Sequence, residues 1–172
     1  GFFFSVATGE QRSKGVEFDI AGQILPGWDI IANYACIDAR VTKDLLFAEG
    51  SRAPNSALHQ GSLWTTYFFQ EGVVQGFGAG IGMYAQGKRN GIFQCQDPAN
   101  CQAPFEMAGY VRMDAALYYR KQEVFNKTNL LAAINFTNVL DHRYFSGAQN
   151  FREIVYTGAP FTAIGSLKFE FH

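Results

Sequence analysis

The 172-residue sequence has no run of about 18 or more apolar residues, so no helix in it is apolar enough to cross a bilayer. This leaves barrel strands open, because alternating segments give only a weak hydropathy signal. Strong charge of either sign is also missing: the net charge is -1, which gives no push toward nucleic acid or an acidic partner. The three histidines, His59, His142 and His172, are scattered without metal-ligand spacing. The glycine-rich segment Gly76-Phe77-Gly78-Ala79-Gly80-Ile81-Gly82 has no following helix and no Lys-Ser/Thr pair, so it is not a phosphate-cradling loop. No nucleophile, base and orienting group converge, so neither a catalytic residue nor a resident metal or cofactor is expected. The chain opens Gly1-Phe2-Phe3-Phe4 without Met or a signal peptide, as expected of a mature segment or a piece of a longer product.

Phenylalanine, at 17 residues, and glycine, at 18, are plentiful, and together they favour sheet over helix. The dominant pattern is alternation with period two. From Lys14 to Ile24 the apolar positions are Val16, Phe18, Ile20 and Ile24, set against Glu17, Asp19 and Gln23; the same parity reaches back through Phe4, so this strand is expected to begin near Phe3. Further runs cover Trp28 to Cys36, Leu63 to Phe69, Phe77 to Gln86, Tyr110 to Tyr119, Asn129 to Thr137 and Phe161 to Phe171. They extend over about 9–12 residues, against about 5–6 for an ordinary strand, and match the length a tilted strand needs to cross a bilayer.

The connections alternate in length. Those at Leu25-Pro26-Gly27, Gln70 to Gly76 and Lys121 to Lys127 are short; those from about Ala39 to Ala57, Lys88 to Ala108 and Asn138 to Ala159 are long. Outer-membrane barrels show this asymmetry, with short periplasmic turns and long extracellular loops. The charged residues Glu17, Asp19, Arg112, Asp114, Lys168 and Glu170 all share the polar parity, as lumen-wall charges would. Catalysis by the Glu17/Asp19 carboxylates and a proton or ligand site at Arg112/Asp114 are the alternatives, and a plain lumen wall is the favoured reading. The fold class expected is all-β, an antiparallel up-and-down transmembrane β-barrel segment of about seven strands. The competing reading is a non-transporting β-sandwich or small β-barrel binding module, in which the apolar parity would be a buried core. Cys95 and Cys101 flank a loop-like segment and suit a disulfide in an oxidising compartment; two unrelated thiols are the alternative.

Several segments resemble the barrel of TonB-dependent siderophore receptors. They include Gly9-Glu10-Gln11-Arg12-Ser13-Lys14-Gly15-Val16-Glu17, Leu25-Pro26-Gly27-Trp28, Asp38-Ala39-Arg40-Val41-Thr42-Lys43-Asp44 and Tyr110-Val111-Arg112-Met113-Asp114-Ala115-Ala116. Asn135-Phe136-Thr137-Asn138-Val139-Leu140-Asp141 and the closing Gly165-Ser166-Leu167-Lys168-Phe169-Glu170-Phe171 continue the match in order, and the ferrichrome and other hydroxamate-type receptors are the nearest in pattern. The resemblance implies that residues 1–172 are the C-terminal part of a 22-stranded barrel, without its plug domain. It implies a multi-pass β-barrel in the outer membrane of a Gram-negative-type bacterium, with iron present only as the ferric-siderophore cargo. The partners it implies are a ferric siderophore, the TonB complex through the missing N-terminal region, outer-membrane lipid and the barrel assembly machinery. The family usually ends on an aromatic residue, whereas His172 here follows Phe171.

Under the same resemblance, the loop aromatics Phe93, Tyr144, Phe145, Phe151 and Tyr156 are candidates to hold the siderophore, with loop packing as the alternative. Arg89, Arg143 and Arg152 are candidates to attract an anionic ligand. Trp28, Tyr34, Tyr67, Phe69, Phe169 and Phe171 read as an interface girdle. The bare face left by Gly78, Gly80 and Gly82 is expected to meet a closely packed partner such as the plug, with barrel curvature as the alternative.

Overall fold

The computed structural model describes residues 9–97, 99, 102–125, 128–149 and 154–171. Along the described chain the strands are β1 (Glu10–Leu25), β2 (Trp28–Lys43), β3 (His59–Phe68), β4 (Phe77–Gln86), β5 (Arg89–Asn90), β6 (Glu106–Met107), β7 (Tyr110–Phe125), β8 (Thr128–Thr137), β9 (Phe145–Ala148), β10 (Val155–Thr157) and β11 (Thr162–Phe171). Seven of them form one antiparallel sheet in the order β1-β2-β3-β4-β7-β8-β11. The remaining four form two small pairs, β5 with β6 and β9 with β10, inside the long connections.

All seven expected strands are present, and four differ in extent: β3 starts at His59, ahead of the expected Leu63, and three others are longer than expected. β1, β2 and β7 each run 16 residues. β2 continues well past Cys36 because β1 is equally long and pairs with it to the end, Lys14 opposite Asp38 and Glu10 opposite Lys43. The extension alternates in the opposite phase, with Ile37, Ala39 and Val41 apolar against Asp38, Arg40 and Thr42, so the apolar parity of Trp28 to Cys36 does not carry through it. β7 likewise continues to Phe125 through the segment expected to be a turn, and its Lys121-Gln122-Glu123 stretch has no apolar rhythm. The expected start near Phe3 lies outside the described residues. The turn at Pro26-Gly27 has its cause in the sequence: Pro sets the first central φ, and Gly27 takes φ +79°, the left-handed value a type II turn requires.

Register puts the two parities on two continuous faces. On one face Phe18 lies opposite Tyr34, Ala32 opposite Leu63, Leu63 opposite Met83, Met83 opposite Met113, Leu117 opposite Ile134 and Ala132 opposite Leu167. The other face carries Asp19 opposite Asn33, Asn33 opposite Ser62, Tyr84 opposite Arg112 and Leu131 opposite Lys168. The apolar face is open: Phe18 is 62% exposed, Leu167 69% and Ile134 46%. No second sheet among the described residues is stacked on it, which removes the sandwich reading. Near the turn end it carries Trp28, Tyr67, Phe69, Phe77 and Phe169, a row that includes four of the six girdle candidates.

The glycine strip of β4 is occupied by its own neighbour. Gly78, Gly80 and Gly82 are buried on the polar face. A Cβ on Gly82 would fall 2.3 Å from the Trp64 ring, and one on Gly78 would fall 2.6 Å from the Phe68 ring. The closely packed partner of the strip within this chain is therefore the neighbouring strand. Aromatics of β3 lie across the bare strip, and a residue with a side chain at either position would displace them.

The well-buried apolar residues of the described chain are Val41, Ala57, Ile92, Met107, Ala116 and Ala148. All but Ala116 belong to the loop end of the sheet, so the protein interior lies there and not against the apolar face. In a complete barrel containing this segment, Ile134→Arg is expected to reduce the folded, heat-modifiable fraction in outer membranes well below that of Asn135→Arg. A cation facing hydrocarbon at mid-bilayer costs about 2–4 kcal/mol. Equal yields of the two variants would reverse the assignment of faces.

Candidate functional site

The three long connections, residues 44–58, 87–109 and 138–161, meet above one end of the sheet. The first two are joined side by side. Phe47 and Cys95 form a β-bridge, Ala48 N–H donates to Gln94 O (2.8 Å), and Gln96 N–H donates to Leu46 O (3.0 Å). The turn that starts this zipper is set by Asp44, whose carboxylate accepts the backbone N–H of Leu46 and of Phe47 (2.8 and 3.0 Å). The same two bonds, Leu46 first, hold its carboxyl below the ordinary carboxylate range. The Phe47 and Phe93 rings stack at 4.4 Å between centroids.

Asn55 ties in the third connection. It takes φ +60°, and its side-chain amide pairs with Ala148 as a strand backbone would. Nδ2 donates to Ala148 O and Oδ1 accepts Ala148 N–H, both at 2.8 Å. Its own N–H donates to Asn90 O at 2.8 Å, so one residue touches all three connections.

Asn138 fastens the base of the third connection. It is fully buried, and its Nδ2 donates to His142 O and Ala159 O, both at 3.0 Å. Its Oδ1 accepts His142 N–H at 2.9 Å, and its N–H donates to Asp114 Oδ1 at 2.8 Å. Asp114 also receives Arg112 Nε and Nη2 (3.0 and 2.8 Å). The Arg112/Asp114 pair is thus a polar-wall ion pair that also anchors a loop. Glu17 and Asp19 lie on the same polar face, on the edge strand β1, and are exposed.

Where this wall meets the loops, tyrosines gather. Tyr84 of β4 and Tyr110 of β7 are 5.9 Å apart between centroids, and Tyr144 of the third connection stacks on Tyr110 at 4.1 Å. Arg112 lies 6.0 Å over the Tyr84 ring and Arg89 5.5 Å over the Tyr110 ring. Faces of aromatic rings beside cations suit a compact ligand with both flat apolar surface and oxygen anions.

Of the candidate ligand residues, Tyr144 is in this cluster and Phe145 follows it, half exposed. Tyr156 lies apart, its OH donating to Gln149 Oε1 at 2.8 Å. Phe93 is packed in the zipper, and Phe151 and Arg152 lie outside the described residues. Arg143 is exposed. Cys101 also lies outside them, while Cys36 is a free thiol in β2. His59 bonds through Nδ1 with Tyr34 OH at 2.8 Å, and among the described residues no cluster of His, Cys, Asp or Glu could hold a metal ion. Tyr84 and Tyr110 were visible in the sequence only as members of the polar parity, and nothing there marked them as a stack. Replacing Asn138 by Ala is expected to leave three partner groups, His142 O, Ala159 O and His142 N–H, unsatisfied or rearranged and to speed protease cleavage within residues 139–161 about tenfold or more. Unchanged cleavage would show that the loop base does not depend on it.

Three comparisons bear on this arrangement. Residues 1–139 match the family described as TonB dependent receptor-like, beta-barrel. The metal-pseudopaline receptor of Pseudomonas aeruginosa is 33% identical over 147 residues, covering 86% of this chain and 19% of that protein. The ferrichrome outer membrane transporter/phage receptor of Escherichia coli is 29% identical over 150 residues, covering 87% of this chain and 19% of that protein. Among solved structures, the crystal structure of the ferric-catecholate import receptor Fiu from Escherichia coli superposes with a TM-score of 0.72 at 26% identity, covering 92% of this chain and 21% of that one. The chain thus spans 19% of the length of each of these two relatives.

Proposed function

Because this chain belongs to the TonB-dependent receptor-like β-barrel family, we propose that it is the C-terminal barrel portion of an outer-membrane receptor that takes up ferric siderophores with energy delivered through TonB. The observation that carries the reading is the open apolar face, continuous in register across seven strands, with loops interlocked at one end only. Such a face suits hydrocarbon, and the polar face opposite suits a lumen. In this reading the intact protein is a multi-pass barrel in the outer membrane of a Gram-negative-type bacterium, inserted by the barrel assembly machinery. TonB would act through a region outside this chain. Iron is cargo, carried in by the siderophore, and no cofactor takes part.

In this reading the loop end faces outward, and the Tyr84/Tyr110/Tyr144 stack is the part of the ligand surface this chain contributes, with Phe145 at its rim. Phe93, Phe151 and Tyr156 are secondary candidates. The test is uptake of ⁵⁵Fe by cells whose only siderophore receptor is the full-length protein, supplied in turn with hydroxamate and catecholate ferric complexes. At least one complex is expected to enter in a TonB-dependent manner. Tyr144→Ala is expected to weaken its binding about tenfold without lowering the folded receptor, the scale of one aromatic contact. No TonB-dependent uptake of any complex would end the reading. Cys95 and Cys101 are proposed to form a disulfide clip in the second loop. Maleimide labelling of non-reduced receptor is expected to reach neither cysteine, and labelling of both would refute the clip.

A further inference from the structure

Arg89 is the least ordinary residue of the loop end. It is 2% exposed, yet only one of its nitrogens has a partner among the described residues: Nη2 donates to Phe145 O. Nε and Nη1 are buried without a hydrogen bond. No described carboxylate pairs with it; the nearby acid Glu106 is taken by Lys88 at 3.1 Å. The guanidinium faces the Tyr110 ring at 5.5 Å, and that ring is in turn stacked on Tyr144. A ring face offsets part of the cost of burying a cation, but it satisfies none of the N–H donors. A guanidinium is cationic, so the two unpartnered nitrogens, with three N–H donors between them, call for an oxygen anion from outside the described chain.

We propose that Arg89 is the anion contact of this ligand surface and binds a carboxylate of the incoming ferric complex. The inference rests on the uptake reading above and narrows it to complexes that carry free carboxylates. Tyr110 and Tyr144 supply the flat wall, and the Phe145 carbonyl already holds Nη2. The bond is non-covalent, and its specificity comes from leaving two buried nitrogens unpartnered when an uncharged complex binds.

The experiment uses the full-length receptor as wild type, Arg89→Gln and Arg89→Lys, in cells without other siderophore receptors. Uptake of ⁵⁵Fe is measured with an uncharged ferric trihydroxamate and with ferric citrate, and heat-modifiable mobility reports the folded receptor. Wild type is expected to favour ferric citrate. Arg89→Gln is expected to lose that uptake about tenfold or more at equal folded receptor, and Arg89→Lys to keep part of it. Preference of wild type for the uncharged complex, or undiminished ferric citrate uptake by Arg89→Gln, overturns the proposal. If Arg89→Gln fails to fold while Arg89→Lys folds and carries both complexes as wild type does, the partner is an internal carboxylate of the receptor and the proposal is again overturned. TonB-dependent uptake of neither complex by wild type, with some other ferric complex entering, overturns this inference alone. Uptake of no ferric complex at all overturns the uptake reading with it.

Discussion

The structure depends on one constraint: an apolar face seven strands wide that no part of the described protein covers. Every strand must keep its parity for that face to stay unbroken, since a slip of one residue would carry charges across it. The backbone must also be paired along its whole length, because hydrocarbon offers no substitute hydrogen bonds. Long strands, tight turns at one end and a register without slips through the middle of the sheet all follow from these two demands. The outer edges of β1 and β11 have no partner within the described sheet. A closed wall therefore requires further strands.

Because the sheet's apolar side is committed outward, the protein's own interior forms elsewhere. It forms in the loops, where Val41, Ala57, Ile92, Met107 and Ala148 are shut away from solvent. Two asparagines make this possible. Asn55 imitates a strand edge to bridge three connections, and Asn138 satisfies both ends of the longest one while taking its position from Asp114 on the wall. The ion pair Arg112/Asp114 thereby links the polar wall to the loop that carries Tyr144. Loops held this firmly can present a preformed surface, and ordering them on binding would cost correspondingly less.

Aromatic residues take three distinct parts, and their neighbours decide which. Trp28, Tyr67 and Phe77 stand on the open face near the turns, where an amphipathic ring fits a membrane boundary. Trp64 and Phe68 point the other way and fill the strip that the β4 glycines leave bare. Tyr84, Tyr110 and Tyr144 converge at the loop end beside two arginines. Phe93, a candidate from the same loops, was drawn into packing against Phe47 instead.

Strand number, parity, the turn at Pro26-Gly27 and the alternation of short and long connections were legible in the sequence, because each is a local property of period, glycine and proline placement. The end of β2 and the tail of β7 were not: the apolar phase of β2 inverts after Cys36 and the β7 tail has no apolar rhythm, so the pairing with a neighbouring strand specifies each of them. The loop architecture was least legible of all. Which asparagine bridges which backbone, which tyrosine stacks on which, and that Arg89 is buried with two unpartnered nitrogens depend on segments up to 93 residues apart meeting in space. By itself, then, the sequence determined the faces of the sheet, through a periodicity that lipid or water can select. Only the tertiary structure decided the contents of the site, because contacts between distant loops are set by packing and leave no periodic trace in the chain.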